Sequence, residues 1–257
     1  MFIPHQSGSL TVFFPAYNDE NTIGRLVQEA NSLLPQLVAG YEIIVVNDGS
    51  TDGTARILAD LAREIPCLRV IHHPVNLGYG AALRSGFAAA TRDMIFYTDG
   101  DGQYDVGELH ALTPLLADSM TVINGWKLKR ADSFYRVMAG ELYRQAARFF
   151  FGIPIFDVDC DFRLIPRHAI RQIQLESTSG VICIELIKKL HASGCRFVET
   201  PVRHYPRRYG RSQFFTLRGV GWTLFDFFRL WGRLVLRPAI SSWAPRPAST
   251  TGPAATD

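Results

Sequence analysis

The chain is predicted to be an α/β protein with a mostly parallel central sheet flanked by helices. Three observations predict it. Short apolar runs alternate with segments of helical periodicity through the first half. The runs are nearly unbroken and rich in β-branched residues, as strands buried on both faces are. Polar, glycine-containing motifs follow the runs, at the strand ends where open α/β sheets bind ligands. Residues 10–14 form the first run, stopped at Pro15. Ile23, Leu26, Val27, Ala30, Leu33, Leu34 and Leu37 then recur three and four apart, the spacing of a helix face, with Asn21 or Asp19 as its candidate cap. Residues 41–46 are the second strand, and Asp52 can cap a helix carrying Leu58, Leu61, Ala62 and Ile65. A strand over 68–71, a helix over 81–90, a strand over 94–98, a helix over 106–116 and a strand over 121–123 follow. The second half is less regular, with helices over 134–151 and 181–191 and a strand over 196–202.

Length and composition limit the alternatives. With 257 residues, 47% of them hydrophobic and 20% charged, the chain can bury a full core and is not of disordered composition. The reading is one domain over residues 1–212, an amphipathic helical extension over 213–243, and a disordered tail over 244–257 rich in Pro, Ala, Ser and Thr. Net charge is only +3, but Arg203 to Arg237 holds eight arginines against one acid, Asp226. Such a segment suits phosphates, on a soluble ligand or on a membrane, although a solvated arginine face is the plainer alternative. Cys67, Cys160, Cys183 and Cys195 form no Cys-x-x-Cys pair or zinc set and read as free thiols. No signal peptide and no run of about 18 uncharged apolar residues is seen, so a cytoplasmic location is expected.

Asp99-Gly100-Asp101 carries the chemistry. Two carboxylates one glycine apart, just past a buried strand, can share a hard cation such as Mg²⁺ or Mn²⁺, with phosphate oxygens completing the shell. Gln103 offers a neutral oxygen beside them. Asp48, in the loop after the second strand, can accept hydrogen bonds from a base or ribose, while Asp52 can contact ligand or merely cap its helix.

These residues resemble the family 2 glycosyltransferases, which have the nucleotide-diphospho-sugar transferase (GT-A) fold. Pro15-Ala16-Tyr17-Asn18-Asp19-Glu20 is similar to their first nucleotide-binding loop. Asp48-Gly49-Ser50-Thr51-Asp52 is similar to their Asp-Gly-Ser-Thr-Asp signature, Asn76-Leu77-Gly78 to their Asn-x-Gly segment, and Asp99-Gly100-Asp101 to their metal motif. The resemblance implies an inverting, metal-dependent transfer from a nucleotide-sugar. It implies a donor site of Pro15, Tyr17, Asn18, Glu20, Asp48, Asp52, Asn76, Gly78, Asp99, Gly100 and Arg207, and a metal set of Asp99, Asp101 and Gln103.

The second half resembles the polyprenyl-phosphate (dolichol-phosphate-mannose synthase-like) branch. The carrying segments are 157–163, ending in Phe-Arg; the helix with Glu185; Glu199-Thr200-Pro201-Val202; and Arg207-x-x-Gly210-x-Ser212. Asn47 and Gln213 depart from the branch's Asp and Lys, and the terminal membrane spans of some members are absent. The catalytic candidates are Asp101, Asp157 and Arg163. Lys127, Arg130, Arg136 and Ser212 are placed to hold an acceptor phosphate. A phosphate acceptor needs charge compensation rather than a strong base; a sugar hydroxyl would need one, from Asp157, Asp159 or Asp161. Arg218, Asp226, Arg229 and Arg233 fall within about one quadrant of a helix at ~100° per residue, with Phe, Leu, Trp and Val filling the rest. That helix suits a membrane interface, the domain surface, or a partner, whether a second copy or a membrane protein. No nucleic-acid partner is expected.

Rival classes fit less well. A nucleotidyltransferase would place a basic, glycine-rich loop after the first strand, where Pro15-Ala16-Tyr17-Asn18 stands. A dinucleotide-binding dehydrogenase needs Gly-x-Gly-x-x-Gly there. A non-catalytic binding module would have little reason to keep Asp48, Asp99 and Asp101 together.

Overall fold

The computed structural model describes residues 8–128, 134–209 and 217–236. The strands are β1 (Ser9–Ala16), β2 (Gly40–Asp48), β3 (Leu68–His73), β4 (Met94–Thr98), β5 (Thr121–Lys127), β6 (Phe162–Pro166) and β7 (Arg196–Val202). The helices are α1 (Ile23–Leu37), α2 (Thr54–Glu64), α3 (Tyr79–Ala89), α4 (Leu109–Leu112), α5 (Phe134–Phe151), α6 (Arg167–Arg171), α7 (Ile182–Ala192) and α8 (Leu217–Trp231), the last running on into a π-helical turn, Gly232–Leu236. All seven strands join one sheet in the order β3-β2-β1-β4-β6-β5-β7. β1 to β4 pair in parallel, as do β5 and β7, and only β6 runs antiparallel to both its neighbours. The α/β class with a mostly parallel sheet is therefore the observed one.

Alternation along the strands builds two apolar layers. Phe13, Ile44, Val46, Ile95 and Tyr97 point into the layer covered by α3, α5, α7 and α8. Val12, Phe14, Ile43, Val45 and Phe96 point into the layer covered by α1 and α2. The helical periodicity read from Ile23 to Leu37 is that second interface: Ile23, Leu26, Val27, Ala30 and Leu34 are all fully buried.

The structure departs from the sequence reading in three places and selects among its alternatives in a fourth. The expected 106–116 helix is a chain of short turns, 3₁₀ at Val106–Glu108, α4, and 3₁₀ again at Thr113–Leu115, where Pro114 lacks the N–H that a continuous helix would use. β6 and α6 went unread, because Arg163 interrupts the apolar run of β6. The cap of α1 is Thr22, not Asn21 or the Asp19 side chain; the backbone carbonyl of Asp19 takes the Thr22 and Ile23 N–H groups at 3.0 Å. Finally, α8 turns part of its charged quadrant onto the domain. Phe227 and Leu230 are buried, Asp226 accepts from Ser179 Oγ at 2.6 Å, and Arg233 pairs with Glu176 and Glu185. Trp222, Leu224, Phe225 and Phe228 stay exposed.

Phe13 sits at the centre of the larger layer, stacked on Tyr97 at 5.4 Å and edge-on to Phe87 at 5.1 Å. Phe13→Ala is expected to cost about 3–5 kcal/mol of stability, the range for a buried aromatic truncated to Ala, read by urea denaturation.

Candidate active site

The loops leaving β1 and β2 are stitched together by hydrogen bonds. Asn18 takes a left-handed conformation (φ 56°), which Asn tolerates better than most residues. Its N–H donates to Ser50 Oγ at 3.0 Å, and its side-chain oxygen accepts from Thr51 N at 2.8 Å. Asp19 N donates to Thr54 Oγ1 at 3.0 Å, and Glu20 N to Asp52 Oδ2 at 3.2 Å. Glu20 Oε2 in turn accepts from Gly53 N at 2.7 Å. Asp52 also accepts from Thr54 N at 3.0 Å, which satisfies the start of α2 as a cap would, one residue ahead of the N-cap position. Asn18, Glu20 and Asp52 thus brace the two loops against each other.

Asp48, expected to contact a base or ribose, also joins two loops. It is 3% exposed. Its carboxylate accepts from Leu77 N at 2.9 Å and Gly78 N at 3.0 Å, and lies 2.6 Å from His73 Nδ1. His73 Nε2 is 2.8 Å from Ser85 Oγ on α3. The acid fastens the loop after β3 to the end of β2, and its oxygens face inward. Gly49 makes that approach possible: at φ +68°, a Cβ there would sit 2.3 Å from the Val75 carbonyl carbon. Asn76 Oδ1 accepts from Gly78 N at 3.1 Å, tightening the same loop. Pro15, expected at the donor, is buried in β1; its carbonyl accepts from Gly100 N at 3.1 Å. Tyr17 is half-buried beside it.

The metal motif is pinned from both sides, since Thr22 Oγ1 donates to Gly100 O at 2.7 Å. Asp101 is 8% exposed; it accepts from Gln103 N at 2.9 Å and pairs with Arg207. Gln103 and Tyr205 exchange backbone and side-chain bonds at 2.8 and 3.0 Å, closing the segment after β7 over the motif. Tyr79 OH donates to Asp99 Oδ1 at 2.8 Å.

Asp161, which from sequence reads either as a base or as part of an acidic turn or salt-bridge network with Arg163, completes a crowd of acids and does pair with Arg163. Its Oδ1 lies 3.4 Å from Tyr97 OH, 3.3 Å from Arg163 Nη1 and 3.2 Å from Cys183 Sγ. Burial, then the charges of Asp161 and Asp101, push the Asp99 carboxyl far above its usual range. Burial also raises Asp101, against the opposing pull of Arg207. Burial pushes Asp19 up to about 7, with Asp101 adding to it. From sequence Asp19 is a candidate cap and a member of the loop that resembles a nucleotide-binding loop, with no role beside the Asp99–Asp101 turn. Its position one strand away from the metal motif has no local sequence signal, only the topology that sets β1 beside β4.

Other expected residues fall outside this cluster. Asp157 is fully buried, accepts from Lys127 N at 3.2 Å and sits 3.8 Å from Arg144 Nη1, a structural setting rather than that of a base open to substrate. Arg163 is fully buried too, bonded to Asn124 Oδ1 at 2.5 Å, to Tyr97 OH and to Val158 O, and it reaches the acids only through Asp161. It acts as the counter-charge beneath the site. Lys127 Nζ donates to Asp159 O at 2.7 Å. Arg130 and Ser212 lie outside the described residues, as does the Arg136 side chain.

Among the described residues, no three His, Cys, Asp or Glu side chains converge closely enough to enclose a metal by themselves. Asp99 and Asp101 still fit a divalent cation. Mg²⁺ commonly takes one or two carboxylates and completes its shell with substrate phosphates, and a cation bound here would favour the ionised form of two carboxyls that burial now pushes upward.

Comparisons with known proteins agree with this geometry. The family model for glycosyl transferase family 2 matches residues 11–174. An undecaprenyl-phosphate 4-deoxy-4-formamido-L-arabinose transferase of Sodalis glossinidius is 27% identical over 216 residues, a region that takes in 83% of this chain and 65% of that protein. Glucosyl-3-phosphoglycerate synthase of Mycobacterium tuberculosis, solved with Mn²⁺, UDP and phosphoglyceric acid, superposes with a TM-score of 0.62 at 18% identity, covering 94% of this chain and 80% of that one. The same enzyme with Mg²⁺ and UDP gives 0.60 at 18% identity, over 79% and 73%. At that identity the superposition speaks for the fold.

Asp19 makes a pH prediction. An unfolded Asp loses its proton near ~3.9, whereas folded Asp19 keeps it until about 7. Between those values the folded chain binds the extra proton, so this group's contribution to stability falls as pH rises. In chelator, Asp19→Asn is expected to make the decline in stability from about pH 4 to 7 shallower, measured by urea denaturation across that window.

Proposed function

From the premise that the chain belongs to glycosyl transferase family 2, we propose that it transfers a hexose from a UDP- or GDP-sugar to a polyprenyl phosphate, with inversion at the sugar C1. The single observation that carries the reading is the grouping of Asp19, Asp99, Asp101 and Asp161 at the carboxyl edge of the sheet, with Arg207 paired to Asp101. A divalent cation held by Asp99 and Asp101, with Gln103 as a third oxygen, would neutralise the charge that gathers on the departing nucleotide diphosphate. The chain's own groups do the rest. Arg207, now paired with Asp101, would exchange the carboxylate for phosphate oxygens of the diphosphate. The stitched loops after β1 and β2 hold the donor pocket in shape before the donor arrives. The acceptor oxygen attacks C1 on the face opposite the leaving diphosphate, so one C–O bond forms as the other breaks.

A phosphate acceptor suits the acids better than a hydroxyl. Its second pKa is about 6, so it arrives largely dianionic and needs no strong base. Of the acids weighed as bases, Asp157 is buried and braced, and Asp161 Oδ1 is held by its three neighbours. Lys127, Arg130, Arg136 and Ser212 are proposed to receive the phosphate. The named activity of the Sodalis relative supports a polyprenyl-phosphate acceptor by analogy.

We place the chain at the inner face of the cytoplasmic membrane, seated by α8. No helix among the described residues is long and apolar enough to cross a membrane. Yet α8 exposes Trp222 (67%) and Phe225 (57%), next to α5, where Phe149 is 84% exposed. Phe150 joins the two helices through edge contacts with Phe228 and Trp231. Exposed aromatic side chains with the exposed Arg229 beside them suit the headgroup boundary of an anionic bilayer.

The test is nucleotide release from a panel of UDP- and GDP-sugars, with Mn²⁺ or Mg²⁺, with and without polyprenyl phosphate. Metal-dependent release that requires the lipid is the expected result; release indifferent to the lipid would move the acceptor to a hydroxyl. Asp101→Ala is expected to lower turnover by roughly 10²–10³-fold, the scale of losing one fixed charge-stabilising group, while the protein stays folded. Replacing Trp222, Leu224 and Phe225 together by Ser is expected to abolish flotation with anionic vesicles, since all three side chains are exposed.

A further inference from the structure

Tyr79 opens α3 and is no part of the donor, metal or acceptor sets above. Its hydroxyl nevertheless meets Asp99 Oδ1 at 2.8 Å. The backbone on both sides of it is fixed. Before it, Gly78 N donates to Asp48 Oδ2 at 3.0 Å. After it, Gly80 N donates to Thr178 O at 2.8 Å, and a Cβ on Gly80 would lie 2.5 Å from Ser177 O, so only glycine lets these two backbones meet.

The 176–179 segment is held in its turn. Glu185, fully buried, accepts from Ser177 N at 2.8 Å and is neutralised by Lys189 at 2.7 Å and Arg233 at 3.1 Å. Ser179 donates to Asp226 at 2.6 Å. Contacts therefore run unbroken from α8 through the 176–179 segment and the start of α3 to one oxygen of Asp99.

We infer that Tyr79 is a positioning residue for the divalent cation, orienting the Asp99 carboxylate by fixing its Oδ1. The inference rests on Asp99 and Asp101 being the cation ligands. A carboxylate free to rotate must be ordered when the metal binds, whereas one already held by a second hydrogen bond need not be. Loss of such an outer partner commonly weakens metal binding or activity about 10–100-fold.

The test uses the full chain and Mn²⁺ alone. Binding is read by the electron paramagnetic resonance signal of free Mn²⁺ for the native protein and for Tyr79→Phe, which keeps the ring and removes only the hydroxyl. The expected result is about 10–100-fold weaker Mn²⁺ binding, with metal-free thermal unfolding unchanged. In transfer assays, the variant is expected to need more Mn²⁺ and to recover its kcat when Mn²⁺ is in excess. A variant that is merely damaged would not recover, and that outcome overturns the inference. Equal Mn²⁺ affinity in the two proteins overturns it as well, leaving the cation reading intact. A native protein that takes up no Mn²⁺, even with UDP present, overturns the cation reading and this inference with it.

Discussion

Negative charge crowded at one sheet edge is the constraint on which the rest of the site depends. Asp19, Asp99, Asp101 and Asp161 come from the ends of three strands, and their neighbours shield them from water. Burial and mutual repulsion push three of them upward, Asp19 to about 7. Buried acids of one sign stay together only when the backbone gives them no room to separate and a cation lies within reach. The chain meets both conditions. The loop-to-loop bonds of Asn18, Glu20 and Asp52, the Asp48 clamp and the Thr22–Gly100 bond fix the backbone. Arg207 and Arg163 supply positive charge above and below.

The reversed strand β6 links the site to the second half of the chain. It sits between β4 and β5, setting Arg163 opposite Tyr97 on one side and Asn124 on the other. The buried guanidinium finds partners for its donors in Tyr97, Asn124, Val158 and Asp161. A buried arginine of this kind is stable only when its donors are matched. This one delivers Asp161 to the acids in the process.

Much of this was legible in the sequence, and the exceptions share one cause. The parallel half could be read because each strand is a short apolar run and each helix repeats with its own period. Asp99 and Asp101 could be read because an acidic, glycine-bearing turn follows such a run. β6 could not, because Arg163 looks like an interruption until Tyr97 and Asn124 are brought beside it by distant strands. The partners of Asp157, Arg144 and the backbone of Lys127, could not be read locally. Nor could those of Asp48, because the N–H groups it receives come from Leu77 and Gly78, well along the chain. Local pattern reports period and polarity; it does not report which partner a polar group will find. Likewise, the charged quadrant of α8 was visible, but not the docking of Asp226 and Arg233 on Ser179, Glu176 and Glu185.

The reversed strand also orders events during synthesis. β1 pairs with β4 across the Leu10–Met94 register, so the first four strands can assemble once the chain has passed residue 98. Until Phe162–Pro166 emerges, however, β4 presents a bare edge beside the half-built acid cluster, and β5 has neither of its neighbours. Such an intermediate exposes strand backbone able to pair with another nascent chain. The β4 edge is therefore covered late, when these five residues pair with it, while the second neighbour of β5 and Arg207, the partner of Asp101, follow later still.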